Sequence, residues 1–94
     1  MSYIISPSMI NYVFVNDLIE IQLEEPPNNR KWELDLPRGF QTIKGSYNPN
    51  GYTLIRKWVI QPLVPGEFTI YCYYRQLCCG NPIVETRAYR IIVQ

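Results

Sequence analysis

Apolar and polar residues alternate along this chain in short runs, and each run closes at a Pro, Gly or Asn. In residues 18–23, Ile19, Ile21 and Leu23 fall on one side of an extended backbone and Glu20 and Gln22 on the other. Residues 31–36 repeat the pattern, with Trp32, Leu34 and Leu36 opposed to Lys31, Glu33 and Asp35. Residues 67–75 group Phe68, Ile70 and Cys72, and residues 84–93 group Tyr89, Ile91 and Val93. A period of two marks a strand with one face in a core and one in solvent. Shorter strands are expected at 3–5, 10–15 and 40–44, and a longer one at 52–61 with Trp58 and Ile60 inward. No stretch has the apolar spacing of a helix.

The interruptions are turn chemistry. Pro7 separates the first two strands, and Asn16-Asp17 makes a tight turn. Residues 24–30 form a polar loop. Pro26 and Pro27 stiffen it, and Asn28-Asn29 supply residues that tolerate positive φ. Asn50-Gly51 is the favoured type I′ hairpin pair, and further turns fall at residues 37–39, 62–66 and 76–82. The sum is seven main strands plus an N-terminal addition. That count and spacing predict an all-β, immunoglobulin-like sandwich of seven to eight strands, with residues 1–94 as a single domain. Pro7 and Pro62 read as guards on exposed sheet edges.

Composition narrows the function. Apolar residues make up 47% of the chain, enough for a packed interior. The net charge is +1 with no block of either sign, which argues against nucleic acid and a polybasic membrane anchor. No apolar run approaches the roughly 20 residues that span a bilayer as a helix. The first residues lack the basic start and apolar run of a secretory leader, and no Asn-x-Ser/Thr sequon occurs. The expectation is an intracellular protein, with secretion after processing as the alternative. Three cysteines are not a disulfide framework: Cys72 reads as a buried thiol, and Cys78-Cys79 as an exposed pair open to oxidation, to an intermolecular contact or to a strained vicinal disulfide. The chain has no histidine, so it lacks the usual general base and the commonest metal ligand. Neither catalytic residues nor a metal or cofactor is expected, and the chain does not read as an enzyme.

The strand sequences resemble those of the chagasin-like inhibitors of papain-type cysteine proteases over nearly the whole chain. Asn16-Asp17-Leu18-Ile19-Glu20-Ile21-Gln22-Leu23 is similar to that family's Gly-Glu-Leu-Val-Glu-Ile-Gln-Leu strand. Pro26 and Trp32 stand at the spacing of the Pro and Trp of its Asn-Pro-Thr-Thr-Gly-x-x-Trp loop. Pro65-Gly66-Glu67-Phe68 through Tyr73-Tyr74-Arg75 is similar to its penultimate strand and the Arg that opens its Arg-Pro-Trp loop. The resemblance implies an immunoglobulin-like sandwich whose three loops plug a protease cleft. Carried onto this chain, the loops are Pro26, Pro27, Asn28 and Asn29; Asn50, Gly51 and Tyr52; and Arg75, Gln76 and Leu77. This chain has Glu25-Pro26-Pro27-Asn28-Asn29 for the first motif and Arg75-Gln76-Leu77 for the last, without the two threonines and the tryptophan.

Two functions follow. One is inhibition of a papain-like cysteine protease. The other is a non-inhibitory immunoglobulin-like module that makes protein–protein contacts, self-association included. It would act through the outer sheet face of Tyr71 and Tyr73 beside Glu33, Asp35 and Arg90, through an exposed edge, or through the Cys78-Cys79 loop. Trp32, alternating with leucines, reads as core in either case.

Overall fold

The computed structural model describes residues 2–26, 29–47 and 54–94. Pro27, Asn28, Asn50, Gly51 and Tyr52 lie outside the described residues, as does the Asn50-Gly51 hairpin expected between the fifth and sixth strands. The elements are β1 (Ser2–Ile4), β2 (Ile10–Val13), β3 (Leu18–Glu24), β4 (Arg30–Asp35), β5 (Phe40–Tyr47), β6 (Ile55–Pro62), β7 (Gly66–Gln76) and β8 (Ile83–Val93). They form two four-stranded sheets, ordered β1-β3-β6-β5 and β2-β8-β7-β4. The β-sandwich implied by the alternation is therefore the fold.

The inward parities place the core. Ile19, Ile21 and Leu23 from β3 and Ile60 from β6 face Trp32 from β4, Ile70 and Cys72 from β7, and Tyr89, Ile91 and Val93 from β8, all buried. Trp58, Leu34, Phe40 and Phe68 pack partly buried around them. Ile19 lies opposite Ile60 and Ile21 opposite Trp58 in one sheet; Ile70 lies opposite Tyr89 in the other. Burial removes Cys72 from thiol chemistry: it pushes the Cys72 pKa up to about 12, opposed in part by the nearby Arg87 cation.

The two short strands expected on either side of Pro7 are present, and each becomes an edge strand of a different sheet. β1 pairs with β3 and β2 with β8, both in parallel. Pro7 sits in the crossover between the sheets. Asn11 organises that crossover, its Oδ1 accepting from the Ser6 N–H at 3.0 Å and its Nδ2 donating to the Ser6 carbonyl at 2.9 Å. Pro62 is not an edge guard. It ends β6, an interior strand, is fully buried, and its carbonyl accepts from Asn16 N–H at 2.8 Å.

One end of the sandwich carries the β2–β3, β4–β5 and β6–β7 turns. Asn16 turns there at φ 71 and Gly39 at φ 93, and Leu63 N–H donates to the Gly39 carbonyl at 2.6 Å. Of the other four connections, β1–β2 is the crossover that holds Pro7, and β3–β4, β5–β6 and β7–β8 leave from the opposite end.

Candidate functional site

Three loops leave the second end: β3–β4 crosses from one sheet to the other, β5–β6 is a hairpin of the first sheet, and β7–β8 a hairpin of the second. Two backbone hydrogen bonds tie them together. Glu25 N–H donates to the Leu54 carbonyl at 2.9 Å, joining β3–β4 to β5–β6, and Leu77 N–H donates to the Asn29 carbonyl at 2.6 Å, joining β3–β4 to β7–β8. The β3–β4 loop is thus in the middle, flanked by the other two. Pro26 and Asn29 at its described ends are exposed.

Glu25 anchors this arrangement. Its Oε1 accepts from Trp32 N–H at 2.7 Å and from Arg56 Nε at 2.7 Å, and its Oε2 accepts from Arg56 Nη2 at 2.6 Å. The Tyr47 hydroxyl donates to the Glu25 carbonyl, and the Arg56 guanidinium lies 4.5 Å from the Tyr47 ring centroid. One buried carboxylate therefore touches β4 and β6, while its backbone holds β5 and the return of the β5–β6 loop. A bidentate guanidinium pair with further N–H donors satisfies a buried charge that would otherwise be costly. Trp32 adds a bond from its indole Nε1 to the Glu24 carbonyl at 2.8 Å and stacks on Tyr74 at 4.7 Å.

Residues 24–30 read from the sequence as a polar loop; within it Glu25 is buried, 3% exposed. The signal was present in the sequence. Glu25 continues the inward parity of Ile19, Ile21 and Leu23, and Arg56 continues that of Ile60 and Trp58. Leu23 and Arg56 lie opposite one another across β3 and β6, so opposite charges close the apolar stripe at the loop end. Arg56, Tyr47 and Leu54 went unmarked because their roles depend on which strands become neighbours.

The β7–β8 loop is sharply turned. Cys79, Gly80 and Asn81 have φ of 56, 91 and 51, and Asn81 N–H donates to the Cys78 carbonyl at 3.1 Å. Gln76 is the last residue of β7, and its N–H donates to the Pro82 carbonyl at 3.0 Å. Leu77 is 51% exposed and stands at the loop's start. Cys78 and Cys79 are exposed free thiols. Arg75 lies within β7, below the tip. Its Nε donates to Glu33 Oε2 at 3.1 Å and its Nη1 to the Asn81 carbonyl at 3.1 Å. Arg75 thus braces the base of its loop.

Among the described residues no group of acidic or cysteine side chains is arranged to hold a metal ion. A cleft of about 490 Å³ opens on the flank, between Trp58 and Thr42 on one side and Leu34 and Leu36 on the other.

The chain has the fold of a known cysteine protease inhibitor. It matches the cysteine protease inhibitor EhICP2 from Entamoeba histolytica with a TM-score of 0.85 and 22% identity, over 99% of this chain and 95% of that one. It also matches amebosin, with a TM-score of 0.67 and 21% identity, over 100% of this chain and 97% of that one. The resemblance seen in the strand sequences therefore holds at the level of the fold. No protein-family model and no curated protein sequence matches the chain.

Proposed function

We propose that this protein inhibits papain-like cysteine proteases by inserting its three-loop end into the active-site cleft. The observation that carries the proposal is the pair of backbone bonds, Glu25 to Leu54 and Leu77 to Asn29, which join the described bases of three separate loops. A cleft plug must cover about 800 Å² on each partner and lose little entropy in doing so. Loop bases joined to one another at the end of a paired sandwich favour it. The β3–β4 loop, with Pro26, Pro27, Asn28 and Asn29, is the central element; residues around Asn50, Gly51 and Tyr52, and Gln76 and Leu77, flank it. Leu77 offers an apolar contact where the family resemblance places an aromatic one, and Arg75 holds that loop in position. The fold shared with EhICP2 adds weight, since that protein is a cysteine protease inhibitor. Acting as a plug, the chain needs no catalytic group.

The second function, a binding module without inhibition, draws support from Tyr71 and Tyr73. Their rings lie parallel, 6.2 Å apart, on the outer face opposite Asp35 and Glu33. A single assay separates the two. Titrated against a panel of papain-like proteases with a peptide substrate, the protein is expected to give tight inhibition that rising substrate relieves. Full protease activity under a large excess of the protein would rule the plug out for those enzymes and leave the tyrosine face as the functional surface.

A further inference from the structure

The second sheet leaves half of one edge uncovered. β2 pairs with β8 only at Arg90, Ile91, Ile92 and Val93. Among the described residues, 83–89 have no strand beside them on that side. The direction of their backbone groups follows from the covered half. The Arg90 carbonyl accepts from Asn11 Nδ2 at 3.1 Å, and Gln94 donates to the Val13 carbonyl and accepts from Val15 N–H. Residues 90 and 94 thus point toward β2. N–H and C=O of one residue share a side of an extended strand, and successive residues alternate. Thr86 and Ala88 therefore aim their N–H and C=O out of the open edge.

The β5 edge of the other sheet is guarded. β5 carries Lys44 and a register shift between Thr42 and Lys44, both devices that discourage pairing. Val84-Glu85-Thr86-Arg87-Ala88 has neither Lys nor Pro, and all five residues are exposed. The β7–β8 ladder shifts register at Val84, between Glu85 and Ile83, and is regular from Glu85 onward, so the open stretch with an unbroken ladder is 85–88. Its charges are self-complementary. Glu85 lies opposite Tyr74 and Arg87 opposite Cys72, so both side chains stand on the same side of the sheet, with 3.2 Å between Arg87 Nη2 and Glu85 Oε2.

We propose that this edge pairs, antiparallel, with the same edge of a second copy of the chain, about a two-fold axis at Thr86. The pairing puts Thr86 opposite Thr86 of the second copy and Glu85 opposite Arg87. Directly opposed side chains in an antiparallel pair have Cβ atoms about 4.5–5.5 Å apart, within reach of a carboxylate and a guanidinium. The charges select this register. Moving the axis by one residue sets Glu85 against Glu85 or Arg87 against Arg87, and turns the wrong backbone groups toward the partner. Because the paired strands are antiparallel, the loop ends of the two copies point in opposite directions. The proposal is independent of what those loops bind.

Sedimentation equilibrium over a range of concentrations tests it. The wild-type mass is expected to rise from the 11.1 kDa of one chain toward twice that value. Glu85→Arg alone and Arg87→Glu alone each set like charges opposite, and each is expected to need at least about tenfold more protein to associate. Mixed in equal amounts the two variants associate again, because each supplies the charge that the other repels in itself. Ala88→Pro removes an outward N–H without touching the β7 ladder; it is expected to stay monomeric with a wild-type unfolding curve. A wild-type protein that remains at 11.1 kDa throughout would overturn the proposal. So would single variants that associate like wild type, or a mixture that does not associate.

Discussion

Glu25 is the residue on which the loop end depends. Its carboxylate is almost fully buried, with 4% of the side chain exposed against 19% for Arg56. Removing one member of a buried pair strands the other, at a cost of roughly 3–5 kcal/mol. Glu25→Ala is therefore expected to destabilise the fold by about 3 kcal/mol, toward the lower end because Arg56 keeps some water; urea unfolding measures it. Replacing both Glu25 and Arg56 with Leu is expected to cost less than Glu25→Ala, since no charge is left unpaired. Two buried titratable groups set an alkaline limit. Burial pushes Cys72 from 9.0 up to about 12. Burial, then the neighbouring Cys72, raises Tyr89 from 10.0 to about 12 against the opposing pull of Arg87. Both native groups hold protons that the unfolded chain gives up sooner. Their contribution is whole below pH 9, and it is lost as the pH rises toward 12. Stability measured against pH should begin to fall near 9 in the wild type. In Cys72→Ala the fall should begin nearer 10, where the unfolded tyrosine titrates.

At the scale of elements, alternation made faces legible and left neighbours open. The inward sets of β3, β4, β7 and β8 are those the sequence pattern assigns, because a period of two fixes which side chains share a face once a strand exists. It does not say which strand lies alongside. The N-terminal residues show the consequence: the two short runs around Pro7 are legible as strands, but that each joins a different sheet is not. The same gap hid the Glu25–Arg56 pair, whose inward parity was visible but whose contact required β3 and β6 to be neighbours. Pro62 was misplaced for the converse reason. A proline suggests an edge, but at the last position of an interior strand its missing N–H removes little from the ladder. Turns were read more surely where the backbone conformation is demanding. Gly39 has φ 93, and a Cβ there would lie 2.7 Å from Val64 Cγ2. Gly39→Ala is expected to cost about 1–3 kcal/mol, from the left-handed backbone and the forced movement of Val64 together. Thermal unfolding would show it as a lowered midpoint, and an unchanged midpoint would mean that the β4–β5 turn relaxes freely.

For the whole molecule, the sandwich matters because it gathers distant loops. Residues 25 and 29 of one loop, 54 of a second and 77 of a third are joined at one end through two backbone bonds. The sequence pointed to these loops only through a family resemblance carried mostly by strands. Periodicity cannot show convergence, and the loop residues themselves depart from the family's motifs. The fold is shared with EhICP2 and amebosin at only 22% and 21% identity; in such a sandwich the core restricts strand faces, and a loop tip is restricted mainly by what it binds. The decisive measurement is the inhibition constant toward a responsive papain-like protease for three proteins: the wild type, a variant with residues 26–29 replaced by Gly-Ser, and a variant with residues 63–65 at the opposite end replaced in the same way. Inhibition lost in the first variant and kept in the second is the predicted result. Equal inhibition by all three would contradict the three-loop plug and move the binding surface away from this end of the sandwich.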